Sequence, residues 1–367
     1  ELSGEWIMAY TAIDDPSAYF QTITWTGNGS DPRTITFDGN SDMQPNWVWE
    51  KSTNLAYQHN LYDSVRGGGK GLVTNNDAIE VSDNANGYIS AFTSDGFVLT
   101  AGSTNNELLN EDTTTYVGWG WKAGTSVSGN TSGSGTAKAY TGSVNTDAGF
   151  SIIRHLGNDT AGHTIPHHLG AVPKMIIGHG ISGDDATSWT VYHHALGNTN
   201  TISLNETAAV SDSSVWNDTT PTSSVISLGS SGNVNDNDDA FILYSFAEKQ
   251  GYSKFGSYLA NSDSSNFLYT GFKPAFLIVK QTDGGGGNMN WGMFDNKRPG
   301  FNSQNGFLYA NTAGAEDTSN ATSIDLLSNG FQLRANTVGS NPGKSYIYMA
   351  FAEQPLVTST GVPATAR

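Results

Sequence analysis

One block of sequence occurs three times in this chain, and a recurring block limits the fold more than any local propensity does. Its anchor is a proline followed by a hydrophobic run: Pro45-Asn46-Trp47-Val48-Trp49-Glu50-Lys51, Pro173-Lys174-Met175-Ile176-Ile177-Gly178-His179 and Pro274-Ala275-Phe276-Leu277-Ile278-Val279-Lys280. Proline suits the first position of a strand, where no ladder donor is needed. After a polar loop comes a second strand with a turn. These are His59-Asn60-Leu61-Tyr62-Asp63 before Arg66-Gly67, Trp189-Thr190-Val191-Tyr192-His193 before Leu196-Gly197, and Trp291-Gly292-Met293-Phe294-Asp295 before Arg298 and Gly300. Tyr62, Tyr192 and Phe294 lie 17, 19 and 20 residues after their prolines.

Each copy continues with a short apolar stretch ending near asparagine: Leu72-Val73-Thr74-Asn75, Ile202-Ser203-Leu204-Asn205 and Phe307-Leu308-Tyr309-Ala310-Asn311. Asp95-Gly96-Phe97 and Asn329-Gly330-Phe331 then carry hairpin signals. An aromatic strand closes each copy: Tyr116-Val117-Gly118-Trp119-Gly120-Trp121, Phe241-Ile242-Leu243-Tyr244-Ser245-Phe246 and Tyr346-Ile347-Tyr348-Met349-Ala350-Phe351. The anchor-to-end spans are 76, 73 and 77 residues, so the landmarks keep both their order and their spacing.

A first strand is expected before each anchor, at 20–25, 139–140 and 255–258, with small-residue turns such as Thr26-Gly27-Asn28 and Thr141-Gly142-Ser143. Six or more short strands per copy, with turn signals this frequent, predict an all-β protein of tandem antiparallel β-sandwich modules of the jelly-roll type, their aromatic faces meeting in the core. The expected layout is a lead at 1–16, module 1 at 17–122, a flexible Gly/Ser/Thr linker at 123–138, module 2 at 139–250, module 3 at 251–354 and a tail at 355–367. Within the lead, residues 1–7 read as a translated leader or cloning remnant, because Met8-Ala9-Tyr10-Thr11 resembles a natural start. Modules 2 and 3 abut through Lys249-Gln250-Gly251 and should form the more rigid pair.

Composition narrows the partners. The formal charge of −17 opposes association with nucleic acid and with anionic membranes, both of which need basic patches. With no cysteine, disulfides, thiolate metal sites and thiol nucleophiles are all excluded. No run of 18 apolar residues suggests membrane insertion.

The candidate chemistry is sparse. Seven of the eight histidines fall in the middle copy: His155, His163, His167, His168, His179, His193 and His194. Imidazoles are frequent metal ligands, but Pro166 disfavours a helix that would stack His163 on His167, and loop or turn roles are the simpler reading. Asn235-Asp236-Asn237-Asp238-Asp239 is rich in hard oxygen donors yet lacks the glycine and glutamate of an EF-hand loop, which favours a solvated turn. Gly67-Gly68-Gly69-Lys70-Gly71 and Gly284-Gly285-Gly286-Gly287 do not fit a phosphate loop and read as hairpin connections. Trp25, Trp47, Trp49, Trp119, Trp121 and Trp189 could stack on sugars or fill a core; the period-two pairs each share one sheet face, and core is the preferred reading. We assign no catalytic, cofactor-binding or metal-binding residue and expect no cofactor.

Met8-Ala9-Tyr10-Thr11 with Asp14-Asp15-Pro16, the Pro45 anchor, His167-His168-Leu169-Gly170-Ala171-Val172-Pro173, and the run from Phe246 through Lys249-Gln250-Gly251-Tyr252 to Gly256 resemble a repeat family of virion structural and tail-fibre-like proteins of marine tailed phages. The closing Gly361-Val362-Pro363-Ala364-Thr365-Ala366-Arg367 resembles that family's C-terminus. The resemblance implies a virion location and a concanavalin-like sandwich, and supplies no catalytic residues. The expected function is a non-enzymatic, tail-fibre- or spike-like component that presents β modules to a host-surface ligand of the glycan class. Its expected partners are other virion proteins and further copies of itself, as a homo-oligomer and specifically a trimer. The alternatives are a purely structural virion protein, for capsid decoration or tail assembly, and a glycan-degrading enzyme. The middle copy departs from the others, with His179 in place of Lys51 and Lys280 and His193 in place of Asp63 and Asp295, so it must meet any structural demand on those positions differently.

Overall fold

A computed structural model of the chain describes residues 10–183, 187–261, 266–285, 289–298, 302, 306–318, 324–334 and 338–365. The lead segment 1–7, Met8, Ala9, Gly286, Gly287, Gly300, Ala366 and Arg367 lie outside the described residues. The described strands form six antiparallel sheets, one large and one three-stranded in each repeat, so the fold is all-β and built of sandwiches.

The first repeat holds β1 (Phe20–Thr26), β2 (Arg33–Thr36), β3 (Trp47–Ser52), β4 (Asn60–Asp63), β5 (Lys70–Val73), β6 (Val81–Ser82), β7 (Tyr88–Thr93), β8 (Gly96–Thr100) and β9 (Thr115–Trp121). Its sheets run β1-β9-β3-β4-β5-β6 and β2-β8-β7. The second holds β10 (Thr125–Asn130), β11 (Ser132–Gly133), β12 (Ala139–Asn145), β13 (Phe150–Leu156), β14 (His163–Pro166), β15 (Met175–Gly180), β16 (Thr190–His193), β17 (Asn200–Ser203), β18 (Ser211–Asp212), β19 (Val225–Leu228) and β20 (Ala240–Phe246). Here the orders are β10-β12-β13-β20-β15-β16-β17-β18 and β11-β14-β19. The third holds β21 (Ser253–Leu259), β22 (Phe267–Tyr269), β23 (Phe272–Gln281), β24 (Gly292–Asp295), β25 (Leu308–Tyr309), β26 (Ile324–Leu327), β27 (Gly330–Leu333) and β28 (Ser345–Pro355), in sheets β21-β28-β23-β24-β25 and β22-β27-β26.

The hairpin glycines show how local sequence sets this pattern. A Cβ on Gly96 would lie 2.0 Å from the Ile35 carbonyl oxygen, and one on the equivalent Gly330 would lie 2.1 Å from that of Leu268. Only glycine lets β2 and β22 approach their neighbours this closely.

The central strands of each large sheet are buried on both faces, and alternation along them sorts the side chains between two cores. In the first module Val48, Tyr62 and Tyr116 point toward the module's own small sheet, where they pack with Ile35, Phe97 and Leu99. Trp47, Trp49, Trp119 and Trp121 point the other way, into a core shared with Ile177, Trp189, Tyr244 and Phe246 of module 2 and Phe276, Ile278, Met349 and Phe351 of module 3. The rings meet across every joint: Trp47 on Tyr244 at 4.6 Å, Trp121 on Phe276 at 5.7 Å and Phe246 on Phe351 at 5.9 Å between centroids. The three modules thus close a pseudo-threefold body around one aromatic centre.

Hydrogen bonds between modules repeat with the same cyclic order. Trp189 Nε1 donates to the Val73 carbonyl at 2.9 Å, and Trp291 Nε1 to that of Ser203 at 2.9 Å. His59 occupies the equivalent place in module 1 and faces the Tyr309 backbone at a geometry short of a full hydrogen bond. The asparagines of the repeat hold these three residues. Asn75, Asn205 and Asn311 accept from the amides of His59, Trp189 and Trp291 at 2.9, 3.1 and 2.9 Å.

A second ring lies beside the first. Tyr244 donates to Asp63 Oδ2 at 2.7 Å, Trp119 Nε1 to Asp295 Oδ2 at 3.3 Å, and His193 Nε2 to the Tyr348 carbonyl at 3.3 Å. The residue of module 3 equivalent to Tyr244 and Trp119 is Met349, which has no donor, so the partner facing it must donate to backbone instead. Histidine does so, where aspartate could not.

The structure differs from the sequence expectation in the module layout, and Pro274 lies inside β23 at a register shift rather than at a strand's first position. Residues 123–138 are not a flexible linker: β10 and β11 lie there, β10 pairing with β12 and β11 with β14. The first strand of module 2 is β13, not 139–140. Residues 139–145 form β12, an extra strand on its outer edge, and Thr141-Gly142-Ser143 lies inside that strand rather than in a turn. Rigid abutment is not confined to modules 2 and 3, since all three pairs share the central core.

Candidate functional site

All six tryptophans considered above are buried, from 0 to 7% exposed, which commits them to the cores and leaves none to stack on a sugar. Contrary to the expected loop and turn roles, His155, His163, His179 and His193 lie in β13, β14, β15 and β16, and every module 2 histidine except His155 has a hydrogen-bonded ring nitrogen. His163 bridges Asn235 Oδ1 at 2.7 Å and Thr131 at 2.6 Å, while His167 reaches the Thr222 carbonyl at 3.1 Å and accepts from the Leu169 amide. His179 stacks on Trp189 at 4.2 Å and donates to the Ala78 carbonyl of module 1; His194 donates to the Phe255 carbonyl of module 3. His168 meets the Tyr140 hydroxyl at 2.8 Å. His155 is fully buried beside Phe241, with neither ring nitrogen bonded.

Burial holds several of these imidazoles neutral. His155 and His193 are pushed down to about 3, and His167 and His179 to about 4, in each case chiefly by desolvation. In the 235–239 loop, Asn235 is a buried structural residue that ties Asn158, His163 and Gly229 together, and Asp238 pairs with Lys138. Among the described residues no three His, Asp or Glu side chains converge on a point suited to a metal ion. Gly67, Gly68 and Gly69 lie in the hairpin connection from β4 to β5, while Lys70 and Gly71 already belong to β5.

A cleft of about 560 Å³ with binding geometry lies at the joint of modules 1 and 3. Size and position are those expected of a ligand site, since such sites favour the seams between packed units. Phe20, Ala275 and Ala352 supply apolar lining, and Phe20 is braced by stacking on Phe351 at 5.3 Å. Polar groups line the rest. Lys273 pairs with Glu353 at 3.0 Å, Asn296 donates to the other Glu353 oxygen at 2.7 Å, and Lys297 spans both Asp38 oxygens at 2.8 and 2.9 Å. Gln21 fixes one wall by donating to the Ser17 and Ser41 carbonyls and accepting from the Gly39 amide. Thr22 Oγ1 is buried in the same wall without a partner.

Sequence reasoning did not find these residues, because they come together only when module 3 closes on module 1. One signal was legible. In the turn after the second strand, Asn296-Lys297 stands where the other copies have Ser64-Val65 and His194-Ala195, so a charge appears where the repeat is otherwise uncharged.

A family model described as a domain of unknown function (DUF7483) matches residues 15–355, which takes in all three modules. No curated protein and no solved structure matches the chain.

Proposed function

The chain belongs to the DUF7483 family, a domain of unknown function, and we propose that it is a non-enzymatic phage virion component, fibre- or spike-like, whose cleft binds a polar host-surface ligand of the glycan class, the virion part of the reading resting on the sequence resemblance alone. The cleft between modules 1 and 3 carries the reading. It sets ammonium, carboxylate, amide and hydroxyl groups around an apolar patch, a mixture that suits a polyhydroxylated ligand better than an apolar one. Asp38 and Glu353 are already engaged by ammonium or amide partners, an arrangement that favours holding a ligand over reacting with it. Attachment to other virion proteins and to further copies belongs to the same proposal, while the net charge of −17 favours neither nucleic acid nor an anionic membrane as partner. The aromatic faces that suggest a trimer are covered by the chain's own three modules, so contacts between copies would use the outer surface.

The test is a glycan-array screen of the full chain, followed by titration of the hits against Lys273→Ala and Lys297→Ala. The expected result is a defined glycan whose affinity falls about tenfold or more in each variant, roughly 1.4 kcal/mol. An empty array, or hits indifferent to both lysines, contradicts the reading. The second reading, a purely structural virion protein, is favoured by an open strand edge in module 3.

A further inference from the structure

The same strand edge is treated in three ways. In module 1 it is β2, preceded by Pro32 and opened by Arg33, a proline and a charge that discourage further pairing. In module 2 it is β14, which the chain itself covers with β11. In module 3 it is β22, the last strand of its sheet, and among the described residues nothing pairs with its outer side. Here the side chains are apolar. Phe267 is 45% and Tyr269 53% exposed, and Leu259, whose carbonyl accepts from Asn266 next to Phe267, is 64% exposed. These are three of the seven large hydrophobics that are exposed among the described residues, gathered at one edge.

We propose that β22 is the contact by which two copies of this chain pair, strand against antiparallel strand across a twofold axis through Leu268. The pairing of β22 with β27 decides which groups remain available. The Leu333 amide donates to the Asn266 carbonyl, and the Thr270 amide to that of Asn329. This register turns the amide and carbonyl of Leu268 toward β27 and those of Phe267 and Tyr269 outward. An antiparallel copy with Leu268 on the axis sets Phe267 opposite the partner's Tyr269 and Tyr269 opposite the partner's Phe267. Four backbone hydrogen bonds then close, and two Phe–Tyr cross-strand pairs form on the exposed face. The edge is therefore complementary to itself. Tyr269 is also held in place beforehand, its hydroxyl 3.1 Å from that of Tyr10, which donates to the Gly271 carbonyl.

This inference is independent of the cleft, so failure of one leaves the other standing. The experiment is sedimentation velocity of the full chain over a hundredfold concentration range, on the natural protein, on Phe267→Lys/Tyr269→Lys and on Thr34→Lys, the control at the equivalent module 1 edge. The expected result is a concentration-dependent dimer whose dissociation constant rises at least tenfold in the double variant and is unchanged in Thr34→Lys. Hydrogen exchange on the natural protein gives a readout that needs no substitution: the Phe267 and Tyr269 amides should gain protection as the dimer forms. A protein that stays monomeric throughout overturns the proposal. So does an oligomer of any size indifferent to the double variant, or a dimer whose Phe267 and Tyr269 amides exchange as fast as in the monomer.

Discussion

Modules 1 and 3 meet their neighbours with an aspartate and module 2 with a histidine, at one and the same position of the repeat. Asp63 and Asp295 each accept two backbone amides on one oxygen, and an arginine three residues on, Arg66 or Arg298, on the other. His193 accepts the Ala195 amide on Nδ1, and Leu196 stands in the arginine's place. Acceptor, cation and facing donor therefore change together. Where the neighbour offers Tyr244 or Trp119, the module presents a carboxylate balanced by a buried guanidinium; where it offers Met349, it presents a neutral donor and drops the cation. A buried ion pair is stable only with its hydrogen bonds complete, so removing one member of such a set forces out the others.

The two solutions should part most widely in acid. His155, His167, His179 and His193 have folded-state values held below the ordinary histidine value, so they contribute stability above about pH 6.5 that is lost as pH falls from there toward 4 and then 3. Within that window the unfolded chain takes up protons that the folded chain refuses, at up to about 1.4 kcal/mol per pH unit for each group and less after local relaxation. Denaturant titrations at stepped pH should show stability falling below pH 6.5, with exchange protection lost first in module 2. Equal loss in all three modules would count against the assignment of the effect to these histidines.

Next in size is Asp63→Ala, which takes from Arg66, whose side chain is 1% exposed, the nearer of its two carboxylates, leaving Glu80 at 3.3 Å, and leaves the Tyr244 hydroxyl without its acceptor. A loss of about 3–5 kcal/mol is expected in chemical denaturation. His193→Asp should cost a few kcal/mol, in the manner of an unpaired buried charge, and His193→Asp/Leu196→Arg should recover part of it by rebuilding the ion pair. Recovery should remain incomplete, because the Tyr348 carbonyl still faces the carboxylate. A double variant no more stable than the single one would break the comparison.

The smallest effect is one of sameness. Asn75→Ala, Asn205→Ala and Asn311→Ala each remove the equivalent side-chain hydrogen bond and should each cost about 1 kcal/mol, with Asn311→Ala costing more because its amide also donates to Asn290 Oδ1. A cost confined to one module would show that the three joints are not equivalent.

Much of this was legible in the chain. The order of landmarks announced three sandwiches, and the terminal asparagines, the Asp/His exchange and the burial of the tryptophans could all be read from Asn75, His193 and Trp47 onward. What was not legible was where the aromatic faces go. Period-two alternation places Trp47 and Trp49 on one face of β3 and Val48 on the other, but does not say that one face meets the module's own small sheet and the other meets two sister modules. The cleft depended on that closure and stayed hidden with it. Residues 123–145 misled for a different reason: Gly, Ser and Thr resemble a linker in composition, yet the pairing of β10, β11 and β12 with the edges of module 2 is a tertiary contact that outweighs weak strand propensity.

The central claim is that three modules close around one shared core instead of forming a string. Small-angle X-ray scattering of the dilute Phe267→Lys/Tyr269→Lys chain tests it directly. A closed body of 367 residues should have a radius of gyration of about 21 Å and a globular scattering profile. A clearly larger radius with the profile of an elongated, articulated chain would contradict it.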